Sequence, residues 1–147
     1  MNTAEEKSDW TMFDWTDEAG RKTILQIRDR QPDDARVHFS IAVIIEWRYG
    51  SVGLPDEATM ERIYRLEEAL GAIRNEQSAI HVHTLTGGGS REWCYYTADY
   101  AAFEARFTDV VVDLPEMPIE ISFQTDQKWD YWKGIKGTAW GTAREEV

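Results

Sequence analysis

The chain has almost no cysteine and no long apolar run. Cys94 is the only cysteine among 147 residues, so an internal disulfide is impossible and the disulfide scaffold of a small secreted protein is excluded. No apolar run approaches the roughly 20 residues that a bilayer span needs. The first residues lack the basic and then apolar order of a signal peptide. These absences predict a cytoplasmic protein with no membrane partner.

Basic side chains are also scarce. The chain has 16 lysines and arginines against 27 aspartates and glutamates, which gives a formal charge of −11. This negative charge repels the phosphates of nucleic acids, so no nucleic-acid partner is expected. The same charge favours a basic protein partner and speeds the encounter with it.

The composition is that of a folded domain. Hydrophobic residues make up 42% of the chain and aromatic residues 12%, which argues against disorder. A length of 147 residues corresponds to one domain, residues 1–147. The polar start, residues 1–8, and the end, residues 134–147, are expected to be loosely ordered.

Hydrophobic periodicity predicts an alternation of strands and helices. Two runs, Trp10 to Trp15 and Lys22 to Arg28, flank a polar turn segment and predict a β-hairpin. Val37 to Tyr49 alternates apolar and polar residues and predicts a long strand. Apolar residues then recur at spacings of three and four from Met60 to Ile73, as in an amphipathic helix. The remaining pattern predicts two strands, a second helix capped by Asp99 and a last strand, over residues 79–86, 91–97, 99–107 and 119–124.

This order of elements predicts an α+β fold. Residues 37–125 read as strand, helix, strand, strand, helix, strand, which is the βαββαβ order of a ferredoxin-like core. In such a core the two helices cover one face of an antiparallel sheet and leave the other face open. The N-terminal β-hairpin must then extend an outer edge or fold over the open face, and the sequence does not choose between them. An aromatic C-terminal tail follows the core.

Several short motifs resemble a known family in their order along the chain. They are Gly53-Leu54-Pro55, Thr86-Gly87, Arg91-Glu92, Tyr95-Tyr96-Thr97-Ala98-Asp99 and Asp126-Gln127-Lys128-Trp129-Asp130-Tyr131. Together they resemble the bacterial domain of unknown function family 695 from Trp10 to Tyr131, although Gln127 stands where the closing motif of that family has proline. The resemblance implies a compact α+β domain. It supplies no catalytic residues, because the family has no established activity to carry over.

The sharpest local feature is His81-Val82-His83. Residues two apart on a regular strand project to the same side about 6.6 Å apart and can chelate one metal ion. Cys94 is a third ligand only in some registers of the glycine hairpin: a loop of two or four residues places it opposite His83, and a loop of three sends it to the other face. Both histidines are expected on the open face. With no fixed third ligand, no metal or cofactor is predicted.

Other polar and aromatic residues extend this candidate site. Strand parity places His38 on the same face as Glu46 and Arg48, where a tuned histidine can serve as acid or base. Seven tryptophans are too many for one small core, so some are expected to line a groove or interface. The alternative is that they seal the open sheet face beneath the hairpin and the tail. The predicted binding residues on the open face are His38, Glu46, Arg48, His81, His83 and Trp93.

Two functional hypotheses follow. The first is a non-catalytic protein-interaction or regulatory module that presents its open sheet face or an edge strand to a protein partner. An unpaired edge strand also allows a homodimer. The second is a small-ligand or metal-binding protein or an enzyme, with its site on the same face around His81 and His83. The first is preferred because the sequence has no nucleophile beside its base, no complete metal set and no phosphate loop.

Overall fold

The computed structural model describes residues 10–31, 39–50, 53–73 and 78–146. Within these residues the chain forms six strands and three helices. The strands are β1 (Trp10–Thr16), β2 (Lys22–Arg28), β3 (Ile41–Arg48), β4 (Ala79–Gly87), β5 (Ser90–Thr97) and β6 (Ile119–Thr125). The helices are α1 (Glu57–Leu70), α2 (Tyr100–Val111) and α3 (Asp130–Glu146). None of them combines the length and the apolar character that a membrane crossing requires.

The strands form one antiparallel sheet in the order β1-β2-β4-β5-β3-β6. Its last four strands have the order of a ferredoxin-like core, so the α+β prediction is confirmed. The N-terminal hairpin is also confirmed, and β2 pairs with β4. Of the two positions left open for the hairpin, the structure therefore has the extension of an outer edge.

Helices cover both faces of the sheet. The first face, which carries Val43 and Trp93, packs against α1 and α2. The second face, which carries Ala42 and Tyr96, packs against α3 through the buried rings of Trp129 and Trp132. The expectation of one open face is therefore wrong, because the C-terminal segment covers much of that face.

The C-terminal helix α3 occupies the segment for which the sequence predicts loose order from residue 134 onward. Its apolar residues Trp132, Ile135 and Ala139 recur at helical spacing and pack on the second face. Gly134 and Gly137 within the same segment are poor helix formers. Tertiary packing stabilises this helix where propensity does not. Residues 1–8, the other segment expected to be loose, lie outside the described residues.

The start of α3 is capped by side chains from outside the helix. Tyr96 donates its hydroxyl hydrogen to Asp126 Oδ2 at 2.7 Å. Asp126 in turn accepts from the backbone N–H groups of Asp130 at 2.8 Å and Tyr131 at 2.9 Å. These bonds satisfy donors that a helix start leaves without partners. Burial, with the hydrogen bond to Asp126, raises the pKa of Tyr96 far above its ordinary value, so the hydroxyl keeps its hydrogen.

The helices on the two faces are offset across the sheet. The core under α1 and α2 contains side chains of β3, β4 and β5, with β6 at its margin. The core under α3 contains side chains of β1 and β2 instead of β6. Two parts of the sheet are therefore left uncovered: the first face of the hairpin, and the second face of β6 together with the end of β3 that carries Glu46 and Arg48.

We expect that replacing Gly134 or Gly137 with alanine will stabilise the protein. Both residues are exposed in α3, and an added Cβ meets no atom within 4 Å. Alanine loses less backbone entropy than glycine in a helix, so each change should raise the free energy of unfolding by about 0.5–1 kcal/mol. Urea denaturation followed by circular dichroism measures this directly.

Gly87→Ala is the matched control, and it is expected to change the free energy of unfolding in the opposite direction. Gly87 has a φ of +155°, and a Cβ there would lie 2.6 Å from Thr23 Oγ1 and 3.0 Å from Thr23 Cα. This substitution should lower the stability. A loss of stability at Gly134 and Gly137 as well would contradict the exposed helical positions described for α3.

Candidate binding groove

A β-bulge separates the two histidines of the His81-Val82-His83 motif. His81 lies opposite Tyr95, but His83 lies opposite Cys94, because the register of β4 and β5 shifts between them. The shift sends His81 to the first face and His83 to the second. The prediction that both imidazoles project from one open face is therefore wrong, and both side chains are buried, with exposed fractions of 8% and 0%.

The glycine hairpin decides the position of Cys94. Gly87 pairs with Ser90, so the loop contains two residues, and both Gly88 and Gly89 have positive φ. This is one of the loop lengths that place Cys94 opposite His83. Burial, with the charges of Glu92 and Asp126, raises the pKa of the Cys94 thiol well above its ordinary value, so the thiol is unreactive.

His83 belongs to a buried polar network beneath α3. Its Nε2 lies 2.7 Å from Glu92 Oε2, and the Tyr131 hydroxyl donates to the same oxygen at 2.7 Å. Burial alone would raise the pKa of Glu92. The hydrogen bonds from His83 and Tyr131 outweigh it, so the pKa lies below its ordinary value. The carboxylate is therefore ionised at neutral pH, and the network ties β4, β5 and α3 together.

Glu46 and Arg48 lie on the uncovered part of the second face. Arg48 Nε lies 2.9 Å from Glu46 Oε1, with 68% of the Arg48 side chain exposed. Glu46 stands directly opposite Glu92 on β5 and Glu120 on β6. An exposed ion pair of this kind contributes little stability. His38, the third residue predicted on this strand, lies outside the described residues.

Trp93 is buried on the first face, away from Glu46 and Arg48. Its indole N–H donates to Glu67 Oε2 at 2.8 Å. Arg91 donates to the same oxygen at 2.6 Å and 3.1 Å, and to Thr86 Oγ1 at 2.8 Å. Glu67 therefore joins α1 to β5. Only 21% of the Glu67 side chain is exposed.

A groove runs between the hairpin and α1 on the first face. It has two lobes, with volumes of about 360 Å³ and 440 Å³. We call it the hairpin groove, and its lining includes Trp10, Met12, Ile24, Gln26, Tyr64, Glu67, His81, Thr84, Thr86 and Arg91. The two lobes share Met12, Gln26, Glu67 and Thr84 and therefore form one continuous depression. It exists because the hairpin widens the sheet beyond the edge of α1.

The floor of the hairpin groove is polar and internally bonded. His81 Nε2 lies 3.0 Å from the carbonyl oxygen of His83 and 2.9 Å from Thr84 Oγ1. Because a carbonyl oxygen only accepts, Nε2 carries a hydrogen and donates it. The ring of Trp10 lies 5.2 Å from the His81 ring, and the Arg28 guanidinium lies 5.0 Å from the Trp10 ring. These contacts close one end of the groove.

Exposed apolar side chains stand at the rim of the groove. Met12 is 64% exposed, Tyr64 58% and Leu54 37%. The sequence predicts that some of the seven tryptophans line a groove or an interface. Trp10 does so, because it lines the hairpin groove. Others fit the alternative that they seal the sheet, because Trp129 and Trp132 are buried between the second face and α3.

The charges of α1 are divided between its two sides. Glu57, Glu61 and Glu68 are exposed and lie seven, three and four residues from the groove-lining Tyr64, so the helical repeat places them beside Tyr64 on the solvent-facing part of α1. Arg62 and Arg65 lie on the other side, where they border a small depression with Leu114 and Met117. The solvent-facing part of this helix next to Tyr64 is therefore acidic.

The hairpin side of the groove adds one acid and two bases. Asp14 and Lys22 are exposed on the first face of the hairpin, and Arg28 is half-buried against Trp10. The rim, meaning the surface around the groove, therefore has four exposed carboxylates, on Asp14 and the three α1 glutamates, against two cations. Within the described ranges, no three histidine, cysteine, aspartate or glutamate side chains are grouped so as to hold a metal ion.

Sequence reasoning missed the groove-lining residues Met12, Gln26 and Tyr64. The spacing of Met60, Tyr64 and Glu67 could have indicated part of this lining. At three and four residues apart, they form a second stripe along α1, beside its buried apolar stripe. Nothing in the sequence, however, indicates that this stripe faces the hairpin.

Comparison with known proteins agrees with the motifs. No curated protein matches the chain. A match to the Family of unknown function (DUF695) covers residues 8–134. The matched range includes all six strands, α1, α2 and the start of α3, so the match spans most of the chain and confirms the resemblance seen in the sequence motifs. The chain belongs to this family of unknown function.

Proposed function

We propose that the protein is a non-catalytic interaction module that binds a basic, extended segment of a partner protein in the hairpin groove. The observation that carries this proposal is the exposure of Met12 and Tyr64 on opposite walls of one groove with an acidic rim. Exposed apolar side chains grouped in this way mark interaction sites more often than isolated ones do.

The length of the groove fits an extended peptide. Its floor follows β4 from His81 to Thr86, which corresponds to about 17 Å at roughly 3.3 Å per residue. About five residues of an extended chain cover this distance. Met12 and Tyr64 then contact apolar side chains of the bound segment.

The charge of the rim favours a basic segment. Four carboxylates against two cations border the groove, and the whole chain carries −11. Lysine and arginine side chains of the bound segment can reach the rim while their aliphatic parts contact the groove wall. Such binding should weaken as salt screens the charges.

The polar floor supports binding in preference to catalysis. The carboxylate of Glu67 is held by Arg91 and Trp93, and His81 Nε2 is held by a carbonyl oxygen. These groups fix the shape of the groove. The apolar walls and the charged rim then select the partner.

A random dodecapeptide phage library is the probe that tests this proposal. Selection on the immobilised protein should enrich peptides in which lysine or arginine alternates with apolar residues. A synthetic peptide from the enriched pool should bind at least about tenfold more weakly to Tyr64→Ala and Met12→Ser, since each removes an apolar anchor worth about 1.4 kcal/mol or more. Fluorescence anisotropy measures the affinity.

Matched charge reversals distinguish the effect of the rim carboxylates on binding from the effect of the net charge. Glu61→Lys with Glu68→Lys should abolish binding of the enriched basic peptide. Asp109→Lys with Asp113→Lys on and beside α2 changes the net charge equally and should reduce binding far less. The proposal fails if no peptide is enriched, if enriched peptides lack basic residues, or if both double variants weaken binding alike.

A further inference from the structure

The outer edge of β6 is unpaired within the described part of the chain. The sheet order ends at β6, which pairs on one side only, with β3. Asp126 N–H donates to the Ser40 carbonyl at 2.7 Å, and Arg48 N–H donates to the Pro118 carbonyl at 3.1 Å. Because backbone groups alternate along an antiparallel strand, the even-numbered residues of β6 face β3. The backbone groups of Ile121, Phe123 and Thr125 therefore point outward.

This edge lacks most of the features that usually prevent pairing. Natural edge strands are protected by lysine, proline, bulges or short length. From Ile119 to Thr125, β6 has no lysine and no proline, and its register with β3 continues without a bulge over seven residue pairs. Its one charge is Glu120. Phe123 is 54% exposed beside the edge and stacks on Tyr100 at 3.9 Å.

We propose that a second copy of this chain pairs with β6 in an antiparallel, two-fold symmetric arrangement centred on Ser122. The result is a continuous twelve-stranded sheet across two copies. This surface is distinct from the hairpin groove, which lies at the opposite end of the sheet, so the proposal does not depend on the proposed function.

Charge selects Ser122 as the centre. With this centre, Glu120 lies opposite Gln124 of the second copy, and Ile121 lies opposite Phe123. A centre at Glu120 would place two carboxylates directly opposite each other, which is destabilising. A centre at Phe123 would place Glu120 opposite Asp126. A centre at Ile121 avoids a charge conflict but leaves Gln124 and Thr125 without partners in the second β6.

The strand is therefore complementary to itself. All seven residues of β6 find a partner, its apolar residues meet on the first face, and its polar residues meet on the uncovered second face. The net charge of −11 on each copy opposes association. Salt screens this repulsion, so dimerisation should strengthen between about 50 mM and about 500 mM NaCl. Peptide binding in the hairpin groove should respond to salt in the opposite direction.

Disulfide trapping tests the register. Even-numbered residues of β6 would form pairs without mutual hydrogen bonds, with Cα atoms about 4.5 Å apart, so two Ser122→Cys thiols can form a disulfide. Two Gln124→Cys thiols would be separated by four residue steps, about 13 Å, and should not cross-link. The native Cys94 is buried and does not compete. Non-reducing electrophoresis after mild oxidation should show a covalent dimer for Ser122→Cys and none for Gln124→Cys.

Analytical ultracentrifugation of the wild type and two lysine variants tests the dimer without cross-linking. Ser122→Lys would place two ammonium groups face to face and should make the protein monomeric. Gln124→Lys would place lysine opposite Glu120 and should preserve or strengthen the dimer. A wild type that stays monomeric up to about 1 mM in about 500 mM NaCl would overturn the proposal. So would a covalent dimer of Gln124→Cys without one of Ser122→Cys.

Discussion

Trp129→Ala is expected to lower the free energy of unfolding by about 3–5 kcal/mol, the usual cost of removing a fully buried tryptophan. The Trp129 side chain has an exposed fraction of 0% and stacks on Tyr96 with ring centroids 4.1 Å apart. Its indole N–H donates to the Phe39 carbonyl oxygen at 2.8 Å. Alanine would leave a cavity and a buried carbonyl without this donor. Urea denaturation measures the change.

The backbone at Trp129 provides a further test. Its φ of +60° lies in the left-handed region that favours glycine. Trp129→Gly should therefore be less destabilising than Trp129→Ala by about 1 kcal/mol. Trp132, inside α3, is the matched control, and there glycine should be worse than alanine by about 1 kcal/mol. If alanine is better than glycine at both positions, the described conformation of Trp129 is contradicted.

Glu92→Gln is expected to lower the free energy of unfolding by about 1.5–3 kcal/mol at pH 7. The variant loses the charged acceptor that bonds His83 Nε2 and the Tyr131 hydroxyl, each at 2.7 Å. These two bonds hold β4 and α3 to β5, so the loss affects the packing of α3 on the second face. Glu18→Gln is the control, because Glu18 is exposed in the turn between β1 and β2 and should change stability by less than about 0.5 kcal/mol.

The effect of Glu92→Gln should depend on pH in a defined direction. The pKa of Glu92 in the folded protein lies below its ordinary value of 4.5. Its ionised form therefore contributes stability that is present above pH 4.5 and is lost as the pH falls through the folded pKa. The stability difference between wild type and Glu92→Gln should be present at neutral pH and decrease as the pH falls below about 4.5. A difference that grows on acidification would contradict the ionised carboxylate.

The candidate site could be predicted only in part, and the histidines illustrate why. Strand parity correctly places Cys94 opposite His83 for a two-residue loop. It fails at His81, because a bulge inserts one residue into β4 and reverses the parity on one side of it. The periodicity of this strand does not reveal the bulge, because Ile80 and Val82 alternate with the histidines as they would in a regular strand.

The hairpin groove was missed for a different reason. The sequence predicts both the hairpin and the amphipathic helix that form its walls. It does not predict that β2 pairs with β4, because this contact joins residues about 60 positions apart in the chain. Only this pairing brings Met12 and Tyr64 to opposite sides of one depression.

Local periodicity in the sequence determined the order of strands and helices and the ferredoxin-like core, because alternation at two and at three to four residues reflects which side of each element meets the core. Tertiary structure decided that the hairpin extends the β4 edge, that α3 covers the second face, and that His81 and His83 separate. Each of these depends on contacts between segments distant in the chain. Their free energy comes from packing and from capping by Tyr96 and Asp126, which no short stretch of sequence specifies.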